Sequence, residues 1–360
     1  LLTTLLIGWA NAALTLPVTI VLAAGAWFGG IWSLDRLNIW ISPFFPIIVL
    51  VLNFSVLNME KFWSSEKKKK FFRSAFSKYV SAAVVNQLAE NPDKLSLKGE
   101  EKEISILFSD IRSFTSISEQ LTPSQITELL HDYFTPVTRI IIDNHGTHDK
   151  FIGDAVMSFW NAPLDVADHE RFALRAALAM LDELEGLNDR FEEVFGIRIA
   201  VGIGVHAGLC RVGNMGSDDI FDYTIIGDNV NLASRLESLT KFYGVQVIIS
   251  DSILKGVADT HLVQELDRVR VKGKDEPVRI HTVFKKQEHN PGQEAELSRY
   301  QDALSLYKAR EFRQAETIFS DLAASRPDKK LYSLYMDRCR IFIDTPPEQD
   351  WDGVFTHTSK

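Results

Sequence analysis

The chain has 360 residues, 46% hydrophobic and 24% charged, which is enough apolar material for two or three folded domains and too much for bulk disorder. A formal net charge of −9 argues against a nucleic-acid-binding protein, which needs a basic face. Two cysteines, Cys210 and Cys339, exclude a disulfide framework and a four-thiolate zinc site, and fit a reducing compartment.

Charge is unevenly spread: residues 1–34 and 37–59 carry none. A helix needs about 20 apolar residues to cross a bilayer. Residues 5–31 meet this length, with Asn11 and Pro17 as interruptions, and so do residues 39–59, with Pro43 and Pro46 near the start. Trp32, Trp40 and Trp63 fall near the expected ends, where interfacial aromatics belong. The alternative is a pair of buried core helices. A signal peptide is disfavoured, because two long segments run in tandem without a basic start. Asp35 and Arg36 are the only charges in the expected loop, whereas Lys61, Lys67, Lys68, Lys69, Lys70 and Arg73 follow the second span. By the positive-inside rule this places everything from residue 60 onward in the cytoplasm, and residue 1 on the same side. The lysine run serves as a topology signal, with anionic membrane lipid as its further candidate partner. A start at Leu1, inside an apolar stretch, suggests a fragment whose upstream part is missing.

Residues 71–90 have the spacing of an amphipathic helix, with Phe72, Phe76, Tyr79, Val80, Val84, Val85 and Leu88 on one face and Asn91-Pro92 as its stop. Such a helix suits a transducer or a pairing element. Residues 104–108 read as a buried strand. Thr122-Pro123-Ser124-Gln125 then opens a helix, with Thr122 and Gln125 as a capping box and Pro123 at the first helical position. Residues 150–160 form a hairpin turning at Gly153-Asp154, and Asp168 starts the next helix. Strands are expected at 197–206, 221–226, 245–250, 262–272 and 278–284. A helix at 229–242 is ended by Gly244. Hairpins mixed with helices indicate an α+β sheet with helices packed on it. Residues 297–324 read as two short helices followed by Pro327. They resemble a single tetratricopeptide unit, which by itself should pack on the preceding domain or cap it, with a protein partner as the further option. The expected layout is two transmembrane helices in 1–60, a linker in 61–95, a catalytic domain in 96–287, a helical segment in 288–345 and an extended tail in 346–360.

The residues that could do chemistry are few. Asp110 ends a buried strand and Asp154 sits in a hairpin turn, so both are held on stiff backbone and could share hard cations such as Mg²⁺. Turn aspartates more often only satisfy backbone N–H groups. Asn231 and Arg235 are four apart and share one helix face, able to approach phosphate or ribose oxygens or simply to face solvent. Lys272 and Lys274 flank Gly273. No P-loop and no zinc-spaced Cys/His cluster occurs.

In combination, residues 96–287 resemble the catalytic domain of class III adenylate/guanylate cyclases. The matching runs are Leu107-Phe108-Ser109-Asp110-Ile111-Arg112-Ser113-Phe114-Thr115, Lys150-Phe151-Ile152-Gly153-Asp154-Ala155, Asp222 through Glu237 around Asp228-Asn229-Val230-Asn231-Leu232-Ala233-Ser234-Arg235, and Val271-Lys272-Gly273-Lys274. Residues 39–60 and 71–92 also resemble the last span and transducer helix of bacterial cyclases with an upstream CHASE-type sensor, which is missing here.

The resemblance implies a ferredoxin-like α+β fold, a homodimer built through the catalytic domain, and two divalent cations, Mg²⁺ or Mn²⁺. It implies that Asp110 and Asp154 hold the metals together with the backbone carbonyl of Ile111. Lys150 and Thr224 would read the purine, Asn231 would orient the ribose, Arg235 would stabilise the transition state, and Lys272 would bind the terminal phosphates. Guanylate cyclases of the family carry an acidic residue at the Lys150 position, so ATP is the expected substrate. Cyclic AMP and pyrophosphate are the expected products, made at the inner face of the plasma membrane in signal transduction. A degenerate module that only dimerises or binds nucleotide is a second reading, and a guanylate cyclase a third. One departure stands out: where some members carry a phosphate-binding arginine, this chain has Gly202, leaving Arg198 or Arg211 as substitutes, or greater reliance on metal and Lys272.

Overall fold

The computed structural model describes residues 12–76, 99–217, 221–257, 261–270, 277–284, 291–349 and 351–356. The chain divides into two units, Leu1–Val80 and Ser81–Lys360.

The first unit contains helices α1 (Ala12–Leu37) and α2 (Phe44–Phe76). They fold back on each other at residues 38–43: the Ser33 hydroxyl donates to the Ile39 carbonyl at 3.1 Å, and Trp27 packs edge-on against Phe44. Asp35 and Arg36 lie in the last turn of α1 rather than in the connecting loop, so this helix ends six residues beyond the expected boundary. Pro17 is accommodated inside it. Among the described residues, Leu16–Leu37 is long and apolar enough to cross a membrane, while the apolar start of α2, Phe44–Val56, is shorter. Leu16, Val21, Phe28, Phe45 and Leu52 expose their apolar side chains, as do Trp32, Trp40 and Trp63. The helix α2 runs unbroken through the lysine run to Phe76. The rest of the expected 71–90 helix lies outside the described residues.

The second unit is built on a mixed sheet. In chain order its elements are β1 (Glu100–Ile111), α3 (Phe114–Ser118), α4 (Pro123–Asp143), β2 (Thr147–Ile152), β3 (Ala155–Trp160), α5 (His169–Phe195), β4 (Val201–Gly216), β5 (Phe221–Ile226), α6 (Asp228–Tyr243), β6 (Val247–Ser250), α7 (Asp251–Val257), β7 (Leu262–Arg270), β8 (Val278–Phe284), α8 (Pro291–Lys308), α9 (Phe312–Ser325), α10 (Lys330–Asp344) and β9 (Phe355–Thr356). Among the described residues the strand order is β2-β3-β1-β4-β6-β8-β7-β9, with β5 paired to the far end of β4. All neighbours are antiparallel except β4 with β6 and β7 with β9.

The alternation of β1 sorts its side chains between two cores. Leu107 and Ile111 point to the face covered by α4, α5 and α7, where Tyr133, Trp160, Leu174, Met180 and Phe191 are buried. Ile104 and Ile106 point to the other face, with Met157, Phe159, Ile225 and Ala233 of α6. The predicted capping box of α4 is present: Thr122 accepts from the Gln125 amide, the Gln125 side chain accepts from the Thr122 amide, and Pro123 fills the first helical position. The hairpin at Gly153 is also as predicted, with Gly153 at φ +67. Gly244 ends α6 at φ +68.

Two differences from expectation are informative. The strand expected at 197–206 is β4, which starts at Val201 and continues to Gly216. Its glycines look like breaks in sequence, but they are where α6 comes down on the sheet. Among the described residues the C-terminal segment holds three helices, not two. In α10, Leu331, Tyr332, Tyr335 and Cys339 are buried at helical spacing. They join Tyr300, Tyr307, Phe319 and Leu322 in one core with Leu232, Leu236 and Tyr243 of α6 and Leu266 of β7. The last strand, β9, adds to the free edge of β7. Cys210 and Cys339 are both buried and form no disulfide, and burial pushes the Cys339 thiol up to about 12, away from reactive thiolate chemistry.

Candidate active site

Asp110 is the penultimate residue of β1 and Asp154 the second turn residue of the β2–β3 hairpin. Pairing of β1 with β3 brings these two backbone positions together, close enough for Asp110 to feel the charge of Asp154. Asp110 is pushed up to about 6, first by burial and then by the neighbouring Asp154, while the Ile111 amide N–H donates to it and opposes the shift. The Ile111 side chain is buried in the core, which pins the strand end. Among the described residues no group of three His, Cys, Asp or Glu side chains converges as a metal site. Two neighbouring carboxylates nevertheless offer oxygen donors of the kind a hard divalent cation takes, and its charge would relieve their repulsion.

A third carboxylate, not anticipated from sequence, stands near this pair. Glu237 of α6 is pushed up to about 7, first by burial and then by Asp110, with Arg112 pulling the other way. Arg112 donates from Nη2 to the Val245 carbonyl at 2.7 Å. The position above Gly202 is occupied by these neighbours: a Cβ there would lie 2.7 Å from Glu237 Oε1 and 3.5 Å from Arg112 Nη2. The basic group beside Gly202 is therefore Arg112. Arg198 is engaged with Asp189 and Glu192 at 3.2 and 2.6 Å.

Lys150 and Thr224 come together through Asp149, a residue without a distinguishing sequence motif of its own. The Thr224 hydroxyl donates to Asp149 Oδ2, and Lys150 Nζ lies 3.5 Å from Asp149 Oδ1 and 3.3 Å from Asp222 Oδ2. Burial raises the Asp149 carboxyl, against the pull of Thr224 and Lys150.

Asn231 and Arg235 lie on α6, whose first turn is anchored by Asn229. This side chain donates to the Leu209 carbonyl at 2.9 Å and sits 3.2 Å from His206 Nε2. The inner face of the helix is Leu232, Ala233 and Leu236, all buried. Asn231 is exposed and Arg235 half-buried, on the same side. Glu237, two residues after Arg235, is turned by roughly 200° and faces Asp110 and Asp154. Within one chain Asn231 and Arg235 thus point away from the carboxylate pair. Lys272 lies outside the described residues.

Because the two aspartates repel each other, replacing one should relieve the metal-free protein. The Asp110 pKa is raised on folding, so its stabilising contribution is full below about 4 and is lost as pH rises through about 6. Asp110→Asn should therefore raise the Tm of the metal-free protein at pH 8 by about 2–4 °C. Added Mg²⁺ or Mn²⁺ should stabilise the parent and not the variant. Thermal unfolding of the full chain with EDTA or with metal checks both expectations.

Residues 97–285 match the family model described as the adenylate and guanylate cyclase catalytic domain. Adenylate cyclase of Anabaena cylindrica is 38% identical over 189 residues, which are 51% of this chain and 37% of that protein. Adenylate cyclase 1 of Rhizobium meliloti is 32% identical over 58% of this chain and 31% of its own length. The chain thus spans about a third of the length of these relatives. Among solved structures, the adenylyl cyclase CyaB of P. aeruginosa superposes with TM-score 0.50 at 33% identity, over 53% of this chain and 98% of its own. A bacterial light-regulated adenylyl cyclase does so with TM-score 0.54 at 28% identity, over 63% of this chain and 65% of its own. With the family match spanning more than half the chain, over the strands and helix that hold the carboxylate pair, Lys150, Thr224, Asn231 and Arg235, this protein belongs to the class III adenylate and guanylate cyclases.

Proposed function

We propose that this chain is a membrane-anchored adenylate cyclase that acts as a homodimer, converting ATP to 3′,5′-cyclic AMP and pyrophosphate. The observation that carries the reading is the opposed placement of two complementary sets on one chain. The carboxylate pair Asp110–Asp154 lies on one side of α6, and Asn231 and Arg235 project from the other. A second copy supplies the missing half of each set, giving two equivalent sites. Exposed apolar side chains at Phe151, Ile152, Leu209, Phe221 and Ile226 on the strands around the site support such a contact.

Asp110 and Asp154, with the Ile111 carbonyl, would hold two divalent cations, Mg²⁺ or Mn²⁺. Such ions lower the pKa of the attacking hydroxyl and neutralise triphosphate charge. In the reaction the ribose 3′-oxygen bonds to the α-phosphorus, the bond to the bridging oxygen breaks, and pyrophosphate leaves. Lys150 donates to adenine N1, Thr224 meets the exocyclic amine, and Asn231 orients the ribose. Arg235 stabilises charge as it builds on the α-phosphate oxygens, and Lys272 holds the terminal phosphates. Helices α1 and α2 serve as the two membrane spans, with the lysine-rich stretch of α2 at the cytoplasmic face next to anionic lipid. The C-terminal helices serve the catalytic unit itself, and a protein partner for them remains a further option.

The test uses the full chain in membranes, supplied with ATP or GTP and Mg²⁺ or Mn²⁺. Asp154→Ala and Arg235→Ala should each lower cyclic AMP formation by about 10²-fold or more, Arg235→Ala through kcat rather than KM. Co-expressed, the two variants should recover about a quarter of parental activity, because half of the dimers are mixed and each has one intact site. No recovery sinks the shared site, no product from a folded, dimeric parent sinks the cyclase reading, and cyclic GMP as the main product makes it a guanylate cyclase.

A further inference from the structure

Asp149 and Lys150 are consecutive residues of a strand and would ordinarily point to opposite faces. The pairing of β2 with β3 slips between His148 and Lys150, so that Asp149 is the extra residue of a bulge. A bulge re-aims side chains. Here it turns both residues toward Asp222 and Thr224, which share a face of β5. The Asp149 side chain is only 1% exposed. Its Oδ2 accepts from Thr224, and its Oδ1 has no hydrogen-bond partner among the described residues, with the Lys150 ammonium 3.5 Å away.

This arrangement fixes the direction of one proton. A free threonine hydroxyl can donate or accept. A carboxylate can only accept, so the Thr224 proton is committed to Asp149, and what the hydroxyl presents outward is a lone pair. The pocket then offers two different groups side by side: a donor from Lys150 and an acceptor from Thr224. Adenine has the matching pattern, an acceptor at N1 beside a donor amine at C6. Guanine has the reverse, a donor at N1 beside an acceptor oxygen.

We propose that Asp149 is a specificity-determining residue, which selects a 6-amino purine over a 6-oxo purine by holding the Thr224 hydroxyl as an acceptor. This rests on the reading of Lys150 and Thr224 as the purine contacts. Asp149 does not touch the base; it acts through Thr224.

The experiment compares the full-length parent with Asp149→Ala, Asp149→Asn, Thr224→Val, Lys150→Ala and the double variant Asp149→Ala/Thr224→Val. Two ratios are read: kcat/KM for ATP over GTP, and affinity for 3′-deoxy-ATP over 3′-deoxy-GTP, which lack the attacking hydroxyl. In Asp149→Ala the hydroxyl is free to rotate and donate to a 6-oxo group, and both ratios should fall about tenfold or more. The double variant should match Thr224→Val, because Asp149 has nothing left to orient. If Asp149→Ala does not fold, Asp149→Asn is read in its place. It fills the same space and can donate to Thr224, and its ratios should fall at least about threefold. Unchanged ratios in a folded Asp149 variant, or independent effects in the double variant, overturn the proposal. If Lys150→Ala and Thr224→Val also leave both ratios unchanged, the base is not read at this site, and the purine contacts fall with the proposal.

Discussion

Gly204→Val should leave the full chain without measurable cyclase activity and lower its Tm by about 6–12 °C. The reason is a backbone contact. A Cβ at Gly204 would lie 2.3 Å from the Glu237 nitrogen, 2.5 Å from the Ala233 oxygen and 2.9 Å from the Glu237 Cα. None of these is the tip of a side chain that can swing aside, so α6 itself must rise from β4. Overpacking of side chains typically costs 1–3 kcal/mol, and a rigid backbone clash lies at or beyond about 3 kcal/mol. The functional loss follows from the same displacement. Asn231 and Arg235 ride on α6, and a shift of about 1 Å in positioned groups costs roughly 10²-fold in rate. The neighbours reinforce this: a Cβ at Gly202 would lie 2.3 Å from Thr240 Oγ1, and one at Gly208 2.5 Å from Asn229 Nδ2. Differential scanning of the solubilised chain beside a cyclic nucleotide assay checks the expectation. A Gly204→Val protein with parental Tm and activity would show that the helix does not lie so close.

What the sequence made legible was local. The capping box at Thr122, the turn at Gly153 and the stop at Gly244 depend on neighbouring residues, and each is where it was expected. The candidate residues Asp110, Asp154, Asn231 and Arg235 stand out in the sequence because they sit in short runs with fixed spacing. The missing parts are non-local. Glu237 follows a leucine on a helix and looks like an ordinary surface acid; only the close approach of α6 to β4 buries it beside Asp110. Asp149 looks like a strand residue facing away from Lys150, and a one-residue bulge reverses that. Gly202 stood out as an absent arginine, when its local role is to leave room for Thr240, Glu237 and Arg112. For α10 the signal was present in the spacing of Leu331, Tyr335 and Cys339, but Pro327 drew attention to an end rather than to a new start.

Arg338→Met should destabilise the full chain by about 3–5 kcal/mol and reduce cyclase activity, although Arg338 lies more than 100 positions from any motif residue in the described structure. Its guanidinium is 2.6 Å from Asp267 Oδ2, with both side chains at most 5% exposed. The same carboxylate accepts from the Tyr243 hydroxyl at 2.7 Å, and Tyr243 ends α6. Burial and Asp267 together raise the Tyr243 phenol well above its usual range, so this contact stays a donor at any ordinary pH. The Tyr335 and Tyr300 hydroxyls both donate to the Leu266 carbonyl, at 2.7 and 3.2 Å. Lys330 Nζ approaches the Lys241 carbonyl at the end of α6, where a cation also suits the helix dipole. The C-terminal helices therefore hold the far end of the helix that carries Asn231 and Arg235. A methionine at 338 keeps most of the packing volume but strands the Asp267 charge, which is costlier than never having had the pair. Asp267→Asn in the same chain removes the stranded charge while keeping an acceptor for Tyr243. Arg338→Met/Asp267→Asn should accordingly recover most of the lost Tm, giving a coupling of about 2–3 kcal/mol in a double-mutant cycle. If the double variant is as unstable as the single one, Arg338 acts through packing alone, and the ion pair is incidental to how α6 is held.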